Sequence, residues 1–205
     1  TGTVIVDDVS VSARSGRTLV IVGESGAGKS MLARTLCALT PSALVASGAV
    51  SLGGETFDLA ADQGRLKKQR GGGIVWLPQD PFTSLAPTLP CGEQISAART
   101  GRRSERAERS RELLADVGLD ARVARSYPHE LSGGMRQRVA IAAALDSEPR
   151  VLIADEPTTA LDVTTQRDIL TLLTRLRDER AMTLVLVTHD LALARQFGDD
   201  VIVMK

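Results

Sequence analysis

The sequence has few aromatic residues and no surplus of charge of either sign. It contains three Phe, one Trp and one Tyr among 205 residues, so it lacks the stacking platforms that single-stranded nucleic acids require. Its 25 basic residues balance its 25 acidic residues, and this balance gives no general attraction to nucleic acids or anionic membranes. We therefore predict no nucleic acid partner.

Cysteines and long apolar runs are also scarce. Cys37 and Cys91 are far apart and show no metal-binding spacing, so we expect two free thiols. No apolar run approaches the roughly 18–20 residues that cross a bilayer, and the N-terminal residues lack the pattern of a secretory signal. Any membrane role must therefore come through a partner.

Apolar spacing along the chain predicts alternating strands and helices, which is typical of an α/β fold. In the N-terminal part, a strand (17–22) runs into Gly23, a helix (29–39) follows, and Gly53-Gly54 is predicted to turn a hairpin (48–59). The middle of the chain has helical spacing from residue 93 to 119, with Gly118 as its stop. The remaining predicted elements are strands at 74–77, 151–154, Thr183–Thr188 and 201–204 and helices at 135–145 and 164–180.

A glycine-rich loop between the first strand and the first helix fits the complete phosphate-loop pattern. Its glycines let backbone N–H groups approach phosphate oxygens, and the following helix adds its positive N-terminal end. Lys29 is predicted to reach the β- and γ-phosphates of ATP, and the Ser30 hydroxyl to ligate Mg²⁺. The loop reads Gly23-Glu24-Ser25-Gly26-Ala27-Gly28-Lys29-Ser30.

A second apolar strand, at 151–154, leads into two adjacent carboxylates. Asp155 is the residue type that holds Mg²⁺ at such a strand end, usually through water. Glu156 is predicted to act as the general base that polarises the attacking water. These two motifs occur together in several classes of ATPase.

A third motif narrows the choice among these classes of ATPase. Ser132, Gly133 and Gly134 open a predicted helix and form a second anion-binding N-terminus with a hydroxyl beside it. One triphosphate does not need two such anion-binding sites from the same chain. The second site has a role if it acts across an interface, on a triphosphate bound by a second copy.

The run Leu131-Ser132-Gly133-Gly134-Met135-Arg136-Gln137, followed by the strand that ends at Asp155-Glu156, resembles the signature motif of ABC ATPases. The resemblance implies a P-loop NTPase core with an ABC-type antiparallel β subdomain and an α-helical signature subdomain. It implies one domain over residues 1–205, with the catalytic core at about 1–80 and 136–205 and the helical subdomain at about 81–135.

The same resemblance assigns further residues. Gln79 matches the Q-loop glutamine, which contacts Mg²⁺ and senses the transmembrane partner. Ala160-Leu161-Asp162 matches the D-loop, which crosses to the opposite active site. His189 matches the switch histidine that contacts the γ-phosphate, and a histidine N–H can donate to a phosphate oxygen.

The flanking residues around the signature and the second carboxylate strand are similar to the peptide and nickel importer branch. Tyr127-Pro128-His129-Glu130 before the signature and Pro157-Thr158-Thr159 after Glu156 carry this similarity. It implies permease subunits, a second ATPase domain (a copy of this chain or a different subunit) and, indirectly, an extracytoplasmic solute-binding protein. The location implied is the cytoplasmic face of the membrane, through the permease. No aromatic residue for adenine stacking occurs in residues 1–11, and the branch has a further C-terminal segment, so we expect a longer polypeptide at both ends.

Two other function classes stay open at this point. A soluble ABC ATPase could act on DNA or ribosomes, although the long coiled coil of DNA-clamp members is missing here. A metabolic kinase would use the phosphate loop alone, and this would leave residues 132–134 without a role.

Overall fold

Runs of β-branched and aliphatic residues form a five-stranded parallel sheet in the order β4-β5-β6-β1-β7, and a separate β2-β3 hairpin. The computed structural model describes residues 4–159 and 161–205, without the side chains of Phe82 and Thr83. The strands are β1 (Thr18–Gly23), β2 (Ala49–Leu52), β3 (Glu55–Asp58), β4 (Ile74–Leu77), β5 (Val151–Asp155), β6 (Thr183–Thr188) and β7 (Asp200–Met204).

Helices cover both faces of the parallel sheet and form a separate helical segment between β4 and β5. The α-helices are α1 (Lys29–Leu36), α2 (Gln63–Lys67), α3 (Pro81–Ser84), α4 (Cys91–Ile95), α5 (Arg103–Asp116), α6 (Gly133–Leu145), α7 (Val163–Arg180) and α8 (Leu191–Phe197). Short 3₁₀ helices span Ala121–Arg125 and Pro128–Glu130. No helix in the described part of the chain is long and apolar enough to cross a membrane.

The central strands are buried on both faces, as expected for a parallel sheet between helix layers. Along β1, Val20 and Val22 join one apolar cluster, while Leu19 and Ile21 join the other. The first cluster continues into the helical segment through α4, α5 and α6, so this segment shares its core with the sheet. Since all five strands are parallel, their carboxyl ends meet at one edge.

The predicted elements agree with the structure except in two places. The first helix ends at Leu36, because Ala38 takes a left-handed conformation and the N–H of Leu39 bonds back to the carbonyl of Arg34. The helical stretch predicted from residue 93 to 119 is two helices, separated around Gly101 (φ 135°). Gly118, at φ 72°, follows the end of α5 as predicted.

The predicted hairpin turn is confirmed. Gly53 and Gly54 both have positive φ, and Leu52 pairs directly with Glu55. A two-residue turn with two positive φ values matches the twist of the strands that it joins, and glycine adopts it without steric cost.

Gly23 allows a close approach of β1 and β7. A β-carbon at this position would lie 2.3 Å from the carbonyl oxygen of Met204. We expect Gly23→Ala to lower the free energy of unfolding by about 1–3 kcal/mol, because the two strands must separate. Gly64→Ala in α2, where the added methyl meets open space, is the control and is expected to have no cost. Urea unfolding measures both, and equal stability of the two variants would contradict the prediction.

Candidate active site

The phosphate loop lies between β1 and α1 at the carboxyl edge of the sheet. Gly26 and Gly28 have φ of 90° and 84°, values that L side chains rarely adopt. A β-carbon on Gly28 would also lie 2.7 Å from the Val6 side chain. Glu24, Ser25 and Gly26 are exposed, whereas Ala27, Gly28 and Ser30 are half-buried. The loop therefore presents its backbone to solvent at the N-terminus of α1.

Lys29 is folded back across this loop. Its ammonium group donates to the carbonyl oxygens of Gly23 at 2.9 Å and Glu24 at 2.8 Å, and its side chain is 5% exposed. It also lies 4.0 Å from Oε1 of Glu156. A buried cation is thus held within the loop whose sequence pattern predicts anion binding.

Ser30 connects the loop to β5. Its hydroxyl donates to Oδ1 of Asp155 at 2.9 Å, which leaves the lone pairs of the Ser30 oxygen available. Asp155 is 2% exposed, and burial raises its pKa above the ordinary value, while the Ser30 hydrogen bond opposes that rise.

These oxygen donors fit Mg²⁺, which usually takes one or two protein ligands together with water and phosphate oxygens. Residues 4–159 and 161–205 contain no group of three or more His, Cys, Asp or Glu side chains that could hold a metal by themselves. Ser30 and Asp155 would therefore hold the ion with the help of a nucleotide.

The Glu156 carboxylate contacts side chains from several other elements of the site. Its backbone is left-handed, with φ 46°, and its N–H donates to the carbonyl of Val187 at 2.9 Å. A non-glycine residue in this conformation is strained and is common at functional sites. The Glu156 side chain, directly after β5, is 16% exposed.

Three side chains from different elements contact Oε2 of Glu156. Nε2 of Gln79 lies at 3.3 Å, Oγ1 of Thr159 donates at 3.1 Å, and Nδ1 of His189 lies at 3.3 Å. Gln79 follows β4 and His189 follows β6, so the strand order of the sheet brings them together. The structure thus places Lys29, Ser30, Gln79, Asp155, Glu156 and His189 in one group.

Ser132 and Asp162 begin two neighbouring helices and form a second group. The Ser132 hydroxyl caps α6 by accepting from the N–H of Met135 at 3.3 Å. Asp162 caps α7 by accepting from Thr165 N–H at 3.0 Å and Thr165 Oγ1 at 2.6 Å, and these bonds lower the pKa of Asp162.

Gly133 and Gly134 pack directly against the start of α7. A β-carbon on Gly133 would lie 3.3 Å from Leu161, and one on Gly134 would lie 2.8 Å from Thr165. Within the described residues, no hydrogen bond or ion pair joins this second group to the phosphate loop. Ala160, the first residue of the predicted D-loop, lies outside the described residues.

Thr159 and the Val187 carbonyl were not predicted as parts of the site. Thr159 lies three residues after Glu156, and a hydroxyl at that spacing in a turn is able to bond back to the preceding side chain. That spacing is visible in the sequence. The contact of Val187 depends on the pairing of β5 with β6 and has no local sequence pattern.

A phosphate loop after β1, together with a carboxylate pair at the end of β5 in the same parallel sheet, defines the class of phosphate-loop nucleotide-binding proteins. The model of the ABC transporter family matches residues 6–159, so the chain belongs to this family, as the signature motif indicates.

Two curated relatives are similar over almost the whole chain. The dipeptide transport ATP-binding protein DppD of Haemophilus influenzae is 44% identical over 206 residues, covering 97% of this chain and 62% of DppD. The peptidoglycan transport ATP-binding protein YejF of Agrobacterium fabrum is 43% identical over 211 residues, covering 98% of this chain and 38% of YejF. The chain thus spans about three fifths of DppD and less of YejF.

The fold matches that of a solved ATP-binding cassette, MJ0796, in a dimeric post-hydrolysis state bound to ADP and Pi. The TM-score is 0.83 at 34% identity, and the match covers 98% of this chain and 86% of that one. The predicted fold class, a P-loop core with a small antiparallel sheet, is confirmed.

Proposed function

We propose that the chain is the ATP-hydrolysing part of an ABC importer that drives peptides or nickel-type solutes through a partner permease. The contacts of Glu156 carry this proposal, because they join a base to the loop lysine, the Q-loop glutamine and the switch histidine. The names of DppD and YejF, both transport ATP-binding proteins, favour transport over work on DNA or ribosomes.

The loop residues 23–30 would bind the phosphates of ATP. Backbone N–H groups at the start of α1 donate to the phosphate oxygens, and Lys29 moves from the Gly23 and Glu24 carbonyls to the β- and γ-phosphates. Mg²⁺, held by Ser30, Asp155 and Gln79, would neutralise charge that develops between the β- and γ-phosphates.

Glu156 would accept the proton of the attacking water. Its Oε2 accepts a hydrogen bond from the Thr159 hydroxyl and lies 3.3 Å from Nε2 of Gln79 and from Nδ1 of His189, so the carboxylate is held in one orientation. His189 is 64% exposed, which leaves its ring accessible to the γ-phosphate and to the water that Glu156 activates.

Ser132, Gly133, Gly134 and Asp162 would complete the site of a second ATPase domain. In one chain these residues form a group of their own at the N-terminus of α6, where the Ser132 hydroxyl accepts from the N–H of Met135. In a head-to-tail dimer, each ATP would lie between residues 23–30 of one subunit and residues 132–134 of the other. ATP binding then favours the closed pair, and hydrolysis releases it.

The helical subdomain, at about residues 81–135, would carry the permease-docking surface. The catalytic core would comprise about residues 1–80 and 136–205. The signature residue Ser132 caps α6, and α6 packs on α4, α5 and β4. A movement of the helical subdomain would therefore also displace Ser132. The assembly would lie at the cytoplasmic face of the membrane, with a solute-binding protein on the opposite side.

Gly133→Asp tests the composite site. An acidic residue in the first turn of α6 suits the helix N-terminus but repels a triphosphate that docks on it. The test uses a Glu156→Gln background, because a protein that binds ATP without hydrolysing it should accumulate as the closed dimer. In this background, we expect Gly133→Asp to abolish the ATP-dependent dimer and to leave nucleotide binding by the monomer unchanged. Light scattering measures the dimer, with Gly64→Asp in α2 as the control. A dimer that survives Gly133→Asp would contradict the composite site.

The transport role is tested by purification of the protein from detergent-solubilised membranes of its native cells. A multispanning permease in the eluate, with or without a solute-binding protein, supports the proposal and indicates the solute class. A second ATPase in the eluate would make the motor a heterodimer. Ribosomal or DNA-repair proteins without a permease would overturn the transport role and leave the catalytic role intact.

A further inference from the structure

A cavity of about 320 Å³ lies at the C-terminal end of α1, between the segment that follows this helix and α2. Its walls come from parts of residues 35–46 and 63–70, and from Leu59 after β3. None of these residues belongs to the nucleotide site, which lies at the opposite end of α1. Cavities that bind small molecules have volumes of about 300–1,000 Å³. The size of this cavity therefore suits a small ligand.

The charged side chains that line the cavity are both basic. Among the described residues, Lys67 and Arg70 line it together with no acidic side chain. Lys67 makes no side-chain hydrogen bond or ion pair with any described residue. Arg70 donates from Nε and Nη2 to the carbonyls of Cys37 and Ala38, and its Nη1 has no acceptor in the described part of the chain. Two cations without a carboxylate partner favour an anion at this position.

A structural role explains only part of this arrangement. The chain turns away from α1 at Ala38, where φ is 53°. By bonding to the carbonyls of Cys37 and Ala38, Arg70 caps the end of the helix, as basic side chains often do. The cap uses two of the three guanidinium nitrogens and gives no role to Lys67.

The apolar part of the lining consists of three leucines. Leu39 follows α1, Leu59 follows β3, and Leu66 is a buried residue of α2. Leu59 and Leu66 belong to the small apolar cluster under the hairpin. Three aliphatic side chains from three segments favour an aliphatic group on the ligand.

Neutral donors complete the lining. The Thr40 hydroxyl donates to Oγ1 of Thr35 at 3.3 Å, so the proton of the Thr35 hydroxyl has no acceptor among the described residues. The side-chain amide of Gln63 makes no hydrogen bond within the same set. All three of these side chains line the cavity, and the unused donors suit a carbonyl oxygen.

We propose that this cavity binds a small carboxylate with an aliphatic side chain and an adjacent amide, the chemistry of an N-acylated leucine. The carboxylate would lie near Lys67 and Arg70, the aliphatic group against the three leucines, and the amide carbonyl within reach of Thr35 or Gln63. The inference does not depend on the proposed function, because the cavity and the nucleotide site share no residue.

The test titrates the isotope-labelled full chain with N-acetyl-leucine and follows the backbone amide signals by NMR. We expect the signals of residues 35–40 and 63–70 to shift saturably, with a Kd of about 1 mM for a ligand of this size. N-acetyl-leucinamide keeps the shape without the charge, and N-acetylglycine keeps the charge without the side chain. Each should bind about tenfold more weakly, because each lacks one of the recognised groups.

Lys67→Gln removes one cation from the lining, and Lys68→Gln is the matched control. Lys68 is the next residue, is also exposed, and does not line the cavity. We expect the Kd for N-acetyl-leucine to rise about tenfold in Lys67→Gln and to stay unchanged in Lys68→Gln. Gln63→Glu places a carboxylate in the lining at an exposed position, so it should abolish binding by repulsion.

The same spectra separate this inference from the proposed function. Absence of saturable shifts at residues 35–40 and 63–70 would overturn the inference. Equal binding of N-acetyl-leucinamide, or an equal loss in Lys67→Gln and Lys68→Gln, would also overturn it, because recognition would not depend on charge in the cavity. ATP is added separately, and shifts at residues 23–30 report on the nucleotide site whatever the result with N-acetyl-leucine.

Discussion

Glu156→Gln is expected to lower the rate of ATP hydrolysis by about a thousandfold, within the range for loss of a general base. The amide has the same volume as the carboxylate but cannot accept the proton of the attacking water. Binding of ATP should be kept or become tighter, because the change removes a negative charge 4.0 Å from the ammonium of Lys29. Release of phosphate measures the rate, and equilibrium binding of an ATP analogue with a fluorescent group on its ribose measures the affinity.

The matched control is Glu179→Gln on α7. Glu179 is an exposed partner of Arg175, so the same loss of charge at this position should leave both quantities unchanged. With ATP and Mg²⁺ present, Glu156→Gln should also accumulate as a dimer, since the closed pair cannot hydrolyse its nucleotide. Full turnover in Glu156→Gln would remove Glu156 from the role of base.

The parts of the site that the sequence predicts well are those with local geometry. A strand, a glycine loop and a helix follow one another within residues 18–36, so the positions of Lys29 and Ser30 can be predicted from spacing alone. The positions of Asp155 and Glu156 can also be predicted, because Asp155 is the last residue of β5 and Glu156 is the next residue along the chain. Parallel strands then bring these ends to one edge.

Contacts that depend on strand order or on backbone strain could not be predicted in this way. Nothing local in the sequence shows that Glu156 is left-handed or that its N–H reaches Val187. The assignments of Gln79 and His189 came from family resemblance, and the structure supplies the physical reason, because both lie within 3.3 Å of Glu156.

The three glycines before β4 have a structural role that the sequence does not reveal. The carbonyls of Gly72 and Gly73 accept from the N–H groups of Arg150 and Val151, at the start of β5. A β-carbon on Gly73 would lie 2.6 Å from the carbonyl oxygen of Gln69. These glycines align β4 with β5, and so with the carboxylates at its end, although their run in the sequence resembles a flexible loop.

Lys29→Ala is expected to weaken ATP binding by about a hundredfold and to abolish hydrolysis. Lys29 is buried and donates to two loop carbonyls, so its ammonium is already desolvated and needs only to move to the phosphates. Loss of one partner of such a charge pair costs about 3 kcal/mol, which corresponds to about a hundredfold in Kd.

The test of Lys29→Ala compares two effects of one lost cation. In the nucleotide-free protein, Glu156 loses its neighbouring charge at 4.0 Å and the Gly23 and Glu24 carbonyls lose a donor, so the Tm should fall slightly. Lys67→Ala, on the exposed end of α2, is the control and should leave Kd and Tm unchanged. Calorimetric titration with ATP and Mg²⁺ gives the Kd of each variant.

Unchanged affinity in Lys29→Ala would mean that residues 23–30 do not bind the triphosphate. A hundredfold loss together with an intact fold would place the phosphates next to Lys29, within reach of Glu156 and His189, the arrangement that the hydrolytic role requires.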